Sequence, residues 1–184
     1  MMIRPPFPEI IDSSLRADFV ACPRMCELKN ILHWKPKESN VHLLAGGAYA
    51  RGLEVARRAF YQDNRPAKEA IALGLGALME AYGDFECPPD SSKSLDRMLG
   101  ALEYYFYAFP LDNDYAKPHV FEGTNNKILG VEFNFAEPID VLHPVTGQPL
   151  IYTGRLDAIM EFASGIFPLD DKTTSGIGPK WSQQ

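Results

Sequence analysis

An α+β fold, with helices in the first part of the chain and a sheet in the second, follows from three observations. Apolar residues recur at helical spacing through Leu95, Met98, Leu99, Leu102, Tyr105, Phe106 and Phe109. Between residues 151 and 162 they recur at strand spacing instead. Ala163-Ser164-Gly165 is then a turn signal that folds this stretch back on the next one. With 184 residues and 46% hydrophobic content, the chain can bury one sizeable core, so a single domain is expected. Residues 1–109 should be mostly helical and residues 127–175 should form the sheet.

Two short helices open the chain. Ser13-Ser14 is a cap signal ahead of Leu15-Arg16-Ala17-Asp18-Phe19, and Pro23 of Cys22-Pro23-Arg24 suits a first helical position. Residues 66–82, rich in Ala and Leu, read as a further helix. Ser91-Ser92 starts another, whose apolar stripe runs from Leu95 to Phe109. Aromatics at helical spacing pack inward as a rule, although the same rings could stack on the bases of a single strand. Residues 110–126 read as a loop. In residues 128–135 the odd positions Leu129, Val131, Phe133 and Phe135 are apolar, so Glu132 joins Asn134 on the polar face of a strand.

The last two strands carry the chemistry. Tyr152, Gly154, Leu156, Ala158, Met160 and Phe162 occupy one face, while Thr153, Arg155, Asp157 and Glu161 share the other with Ile159. After the turn, Phe167 and Leu169 continue the apolar face, which leaves Asp170 and Lys172 together on the polar one. Matching apolar with apolar across an antiparallel pair requires an odd position to oppose an even one. That means a loop of two or four residues, which sets Asp157 beside Asp170 and Lys172. Pro168 has no ladder donor, so this strand should be an edge or carry a bulge.

Two carboxylates on one face repel unless a positive charge neutralises them, and hard oxygen ligands with open positions suit magnesium or manganese. Lys172 adds a second positive charge, able to orient an attacking water and offset charge developing on a phosphodiester. A metal-dependent nuclease is the function expected from this set. A solvated hairpin that happens to carry Asp, Asp and Lys would show the same alternation.

Gly154-x-x-Asp157 followed by Asp170-Asp171-Lys172-Thr173 resembles the core of the PD-(D/E)XK nuclease superfamily, in particular its RecB-like and phage exonuclease branches. The resemblance implies a restriction-endonuclease-like mixed sheet. It also implies metal binding by Asp157, Asp170 and the backbone carbonyl of Asp171, catalysis by Lys172, a magnesium or manganese cofactor and DNA as partner. The opening Ser13–Phe19 segment with Cys22-Pro23-Arg24 resembles that of RecB-like nucleases, and residues 45–61 resemble the helix that flanks their active site.

RecB-like members carry a metal-binding His on that helix, and Ala50 stands at its position here. The lambda-type viral recombinases use a Glu with an Arg four residues on and a Tyr at seven. Glu54, Arg58 and Tyr61 match that spacing on one helical stripe, which implies Glu54 as the fourth metal residue. An ordinary surface ion pair between Glu54 and Arg58, worth about 0.3–0.5 kcal/mol, would have the same spacing. His42 is a second candidate, and Glu132 would stand behind the ligands if its strand neighbours the hairpin. In these families the Asp-x-Lys strand leads into a further helix with a Gln-x-x-x-Tyr-type motif. The sequence stops at Gln184, twelve residues after Lys172, so a C-terminally truncated domain is expected.

The formal net charge of −6 conceals an asymmetry. Residues 1–69 hold 11 Lys and Arg against 8 Asp and Glu, and the remainder holds 7 against 16, or +3 and −9. Arg51 and Arg58 are the expected nucleic-acid contacts, with Arg16, Arg24, Lys29, Lys35, Lys37 and Arg57 as further phosphate partners. Three cysteines, Cys22, Cys26 and Cys87, are too few for a disulfide framework. Some RecB-like nucleases hold an iron–sulfur cluster through an N-terminal Cys and a C-terminal cysteine trio; no trio exists here, and no cluster is expected. No apolar run spans a bilayer and no signal peptide is evident, so a cytoplasmic protein is expected. The sum is a cytoplasmic deoxyribonuclease of exonuclease type, acting in phage or bacterial recombination or repair alongside a partner protein. The alternative is a noncatalytic DNA-binding or assembly module that retains the fold.

Overall fold

The computed structural model describes residues 7–35, 37, 40–88, 91–113, 115–123 and 126–172. In chain order its elements are β1 (Ile10–Ile11), α1 (Ser13–Ala21), α2 (Pro23–Cys26), a π-helical turn (Glu27–Ile31), α3 (Val41–Tyr61), α4 (Ala67–Tyr82), α5 (Leu95–Ala108), β2 (Ala116–Pro118), β3 (Val120–Glu122), β4 (Lys127–Leu129), β5 (Val131–Leu142), β6 (Pro149–Phe162) and β7 (Gly165–Leu169). This is an α+β fold whose sheet is mixed: β6 pairs in parallel with β1, antiparallel with β2 and β7, and also with β5. Thr173 and Thr174, together with the end of the chain on which the truncation was expected, lie outside the described residues. Among the described residues, no helix is long and apolar enough to cross a membrane.

The chain divides into two compact units. One takes Met1–Glu38 and Asn134–Arg155. Its first helix is capped by Asp12 rather than by a serine: the Leu15 N–H donates to Asp12 Oδ1 at 2.6 Å, and a carboxylate there both satisfies an orphan donor and faces the positive end of the helix dipole. Pro23 opens α2 as expected. Asp18 accepts from Lys29 Nζ at 2.7 Å and Asn30 Nδ2 at 3.0 Å, which ties α1 to the π-helical turn. The His143 ring is buried; its Nδ1 faces the N–H groups of Val145 and Thr146, so Nε2 carries the proton and donates to Phe7 O at 3.0 Å. The Phe135 ring lies where a side chain on Gly154 would begin, 2.5 Å from that Cβ position, which gives the glycine of Gly-x-x-Asp a packing reason.

The other unit takes Ser39–Phe133 and Leu156–Gln184. Its helical core is built from small residues at a close crossing. A Cβ on Gly74 of α4 would meet Gly52 O at 2.7 Å and Ala56 Cβ at 2.8 Å, so α3 and α4 approach almost backbone to backbone. Around this crossing pack Leu53, Leu78 and Leu102, each fully buried and each contributing about 1.5–3 kcal/mol by leaving water. From α5, Met98, Leu102 and Phe106 are buried, with Leu95, Leu99 and Tyr105 packed against them, but Phe109, the last member of the expected stripe, lies just past the helix end and is exposed, as are Tyr104 and Tyr107. A smaller cluster of Ala116, Ala158 and Met160, with Phe162 and Leu169 against it, lies on the even face of β6.

Two expectations change here. Residues 110–126 are not all loop, since they contain β2 and β3. Strands of three residues are too short to display an alternation. The strand expected over residues 128–135 is broken at Gly130, between β4 and β5. Gly130 donates to His119 O at 2.8 Å, His119 donates to Ile159 O at 2.8 Å, and Ile159 donates to Gly130 O at 2.7 Å. Those three backbone hydrogen bonds close a ring joining three chain segments. A Cβ on Gly130 would stand 2.8 Å from Ile159 O and 3.0 Å from His119 O, so only glycine fits.

Candidate functional site

The hairpin between β6 and β7 turns on two residues, Ala163 and Ser164, and pairs Ala158 with Leu169, Met160 with Phe167 and Phe162 with Gly165. Odd positions therefore oppose even ones. Extending that register by one step sets Asp157 against Asp170. β7 ends at Leu169, and Asp170, Asp171 and Lys172 follow beyond the last ladder pair. Among the described strands β7 pairs with β6 alone, so Pro168 sits on an edge.

Alternation persists past the strand end. Asp170 and Lys172 point outward and pair with each other at 2.5 Å, their side chains 64% and 57% exposed. Asp171 points inward: its carboxylate accepts from Arg57 Nη1 at 2.8 Å, with the two side chains only 12% and 4% exposed. The Asp171 N–H donates to Asp157 Oδ2 at 2.8 Å. Arg57 also donates to the Tyr105 hydroxyl at 2.7 Å, and its guanidinium lies 5.7 Å from the centre of that ring.

Asp157 does not stand on an open face. It lines a narrow crevice with Ala50, Leu53, Glu54 and Arg57 of α3, Glu132 of β5 and Asp171. Four carboxylates and one guanidinium thus share one set of walls. Burial pushes the Asp157 carboxyl above its usual range, and neighbouring Asp170 pushes it the same way; the Asp171 amide and Lys172 act against the shift. The hydrogen bond from Lys172 to Asp170 raises the lysine further above its usual range, so it stays an ammonium. Glu132 has a backbone φ of 47°, in the left-handed region, at a cost of order 1–3 kcal/mol for a residue with a side chain. That strained position lies directly after Val131, whose carbonyl accepts from Arg58 Nη2 at 2.7 Å.

Glu54 is held by two arginines, accepting from Arg51 Nη1 at 2.7 Å and Arg58 Nε at 3.0 Å. Burial acts to raise its pKa, but these two hydrogen bonds outweigh it and hold the carboxyl below its usual range, so Glu54 is ionised. Arg58 is engaged with Glu54, Gln62 and Val131, whereas Arg51 is half exposed. Tyr61, the third member of the expected stripe, donates to Leu111 O at 3.1 Å. His42 is exposed in the first turn of α3, where its N–H donates to the capping Asn40.

The expected metal residues therefore divide. Glu54, Asp157 and Asp171 line one crevice, and Asp170 and Lys172 stand at the end of the facing strand. Among the described residues, no three His, Cys, Asp or Glu side chains lie close enough together to hold a metal ion as they stand. The donor set suits a divalent cation in chemistry: oxygen ligands only, two of them, Asp157 and Asp170, crowded together. The nearby positive charges of Arg51, Arg57, Arg58 and Lys172 each hold a carboxylate in its present place.

Arg57 is the residue that sequence reasoning misplaced. Counted among surface phosphate contacts, it is 3% exposed, because it follows Tyr49, Leu53 and Ala56 on the buried stripe of α3. Its position four residues after Leu53 was the available signal: an arginine on an apolar stripe needs a buried carboxylate. No protein-family model matches the chain, and no curated protein and no solved structure matches it either.

Proposed function

We propose that the chain is a divalent-cation-dependent deoxyribonuclease of the PD-(D/E)XK kind. The observation that supports the reading is the cluster just past the last β6–β7 pair, where Lys172 pairs with Asp170, Asp170 neighbours Asp157, and the Asp171 amide holds Asp157. Asp157, Asp170, the backbone carbonyl of Asp171 and Glu54 would hold magnesium or manganese. Such a cation supplies Lewis acidity toward a phosphodiester oxygen. Lys172, kept as an ammonium, orients the attacking water and offsets the charge that develops on the phosphoryl oxygens. Arg51, half exposed beside the crevice-lining Glu54, offers a phosphate contact. Arg58 fixes Glu54 and β5 rather than reaching outward. The setting that goes with this reading is cytoplasmic DNA recombination or repair, with a partner protein of that process.

A second reading, a DNA-binding or assembly module without catalysis, is favoured by Ala50. It lines the crevice where the resemblance places a histidine ligand. Incubation of the protein with linear single-stranded, blunt double-stranded and circular DNA, with magnesium or with a chelator, separates the two. Cleavage that requires magnesium and linear ends supports the nuclease. DNA binding with no cleavage under any metal supports the module.

A further inference from the structure

We infer that Arg57 is a positioning residue for the Asp157, Asp170 and Lys172 cluster, acting through Asp171, and that α3 sets the cluster's affinity for a divalent cation by this route. The inference rests on the reading of the cluster as a cation centre.

Residues 170–172 lie beyond the last ladder pair of β7, where strand pairing no longer fixes the backbone. What anchors this segment is Asp171. Its carboxylate is pinned by Arg57 at 2.8 Å, and that holds its N–H on Asp157 Oδ2, also at 2.8 Å. The guanidinium is itself oriented from a second helix, by the Tyr105 hydroxyl at 2.7 Å and the ring beneath it. A continuous chain of contacts thus runs from α5 through α3 to the end of β7 and on to β6. Desolvation makes a buried ion pair a weak means of gaining stability, since apolar residues of similar volume serve as well or better. What an apolar pair cannot do is fix the direction of the Asp171 amide, and with it the Asp157 carboxyl. Ala50 of α3, which also lines the crevice, has no group that could reach a cation. Arg57, seven residues further on, reaches the segment just past β7 through Asp171.

Charge and position make opposite forecasts for Arg57→Met. Removing a positive charge beside a cation site should tighten binding if charge alone mattered. Loss of positioning should weaken it. The test is binding of manganese ion alone to the full chain, read from the paramagnetic resonance of the free ion, with urea unfolding in parallel. Arg57→Met is expected to bind manganese at least about tenfold more weakly, in the range seen when groups that orient metal ligands are removed. Arg57→Lys should recover part of the loss. Because Arg57→Met leaves a buried carboxylate uncompensated, Arg57→Met/Asp171→Asn is the second variant, expected to regain most of the stability without regaining affinity. A folded variant of either kind that binds manganese as tightly as the wild type overturns the positioning role. If neither folds, Tyr105→Phe decides: unchanged manganese affinity overturns the inference, and a severalfold loss upholds it. A wild-type chain that binds no manganese removes the cation-centre reading, and the inference falls with it.

Discussion

Asp171 and Asp157 are joined by a hydrogen bond whose donor is a backbone amide, 2.8 Å from the carboxyl it holds. The side chain of Asp171 faces the other way, into α3. One residue thereby serves two elements, and the hairpin's acidic end is tied to the helical core without another strand.

If Lys172 orients the nucleophile, Lys172→Ala should lower the cleavage rate by at least about a hundredfold, within the range removed with a positioned catalytic group, while DNA affinity changes little. Asp170→Asn should lower both rate and metal affinity. Single-turnover cleavage and a fluorescence-anisotropy DNA titration check the pair. Undiminished cleavage by either variant removes the assignment.

Glu54→Gln keeps the shape of the side chain and removes a charge that Arg51 and Arg58 now hold. A ligand role requires the magnesium concentration for half-maximal cleavage to rise, with Ala50→His restoring part of it. A magnesium titration that does not move returns Glu54 to the role of anchoring two arginines.

The close helix crossing gives a stability prediction independent of function. Gly74→Ala places a methyl 2.7 Å from Gly52 O, and overpacking of this kind costs about 1–3 kcal/mol. Gly76→Ala, on the same helix with nothing within 4 Å of its Cβ, should stabilise by about 0.4–1 kcal/mol. Urea unfolding of the two variants should shift in opposite directions. A shift in the same direction would mean that the crossing is looser than described.

Asp18 supplies a pH test. Hydrogen bonds from Asn30 first, then Lys29, hold its carboxyl below the usual 3.8. The folded state therefore binds the proton less readily than the unfolded chain does. Stability from this group is complete above the usual value and disappears as pH falls through the lower, folded one. The melting difference between wild type and Asp18→Asn should accordingly be constant at neutral pH and shrink only below about pH 4. A difference that is already shrinking at pH 6 would point to another group.

Part of the hairpin was legible because a period of two and a two-residue turn leave few registers, so β6 and β7 pair even against odd from Phe162 and Gly165 to Ala158 and Leu169; past that pair alternation no longer sorts the carboxylates, and Asp157 shares a crevice with Asp171 while Asp170 and Lys172 are exposed. The helix over residues 95–108 was legible from a stripe long enough to count, and that over residues 67–82 from its Ala- and Leu-rich composition. Arg57 was legible only in part: its place four residues after Leu53 on the apolar stripe marked it as buried, but its partner lies 114 residues away and no local pattern names it. The conformation of Glu132 was not legible, since a positive φ within an apolar alternation has no compositional mark. The three-residue strands β2 and β3 fall below the length at which pattern means anything.

The ring of backbone bonds among His119, Gly130 and Ile159 has a kinetic consequence. Each amide is held by a different segment, and each segment's carbonyl holds the next, so displacing any one segment breaks two of the three bonds. Local fluctuation of one loop is then suppressed, and solvent reaches all three amides through one shared opening. Deuterium uptake at these positions should proceed at a common rate slower than that of the exposed turns on either side, marking a cooperative unit two residues from Asp157.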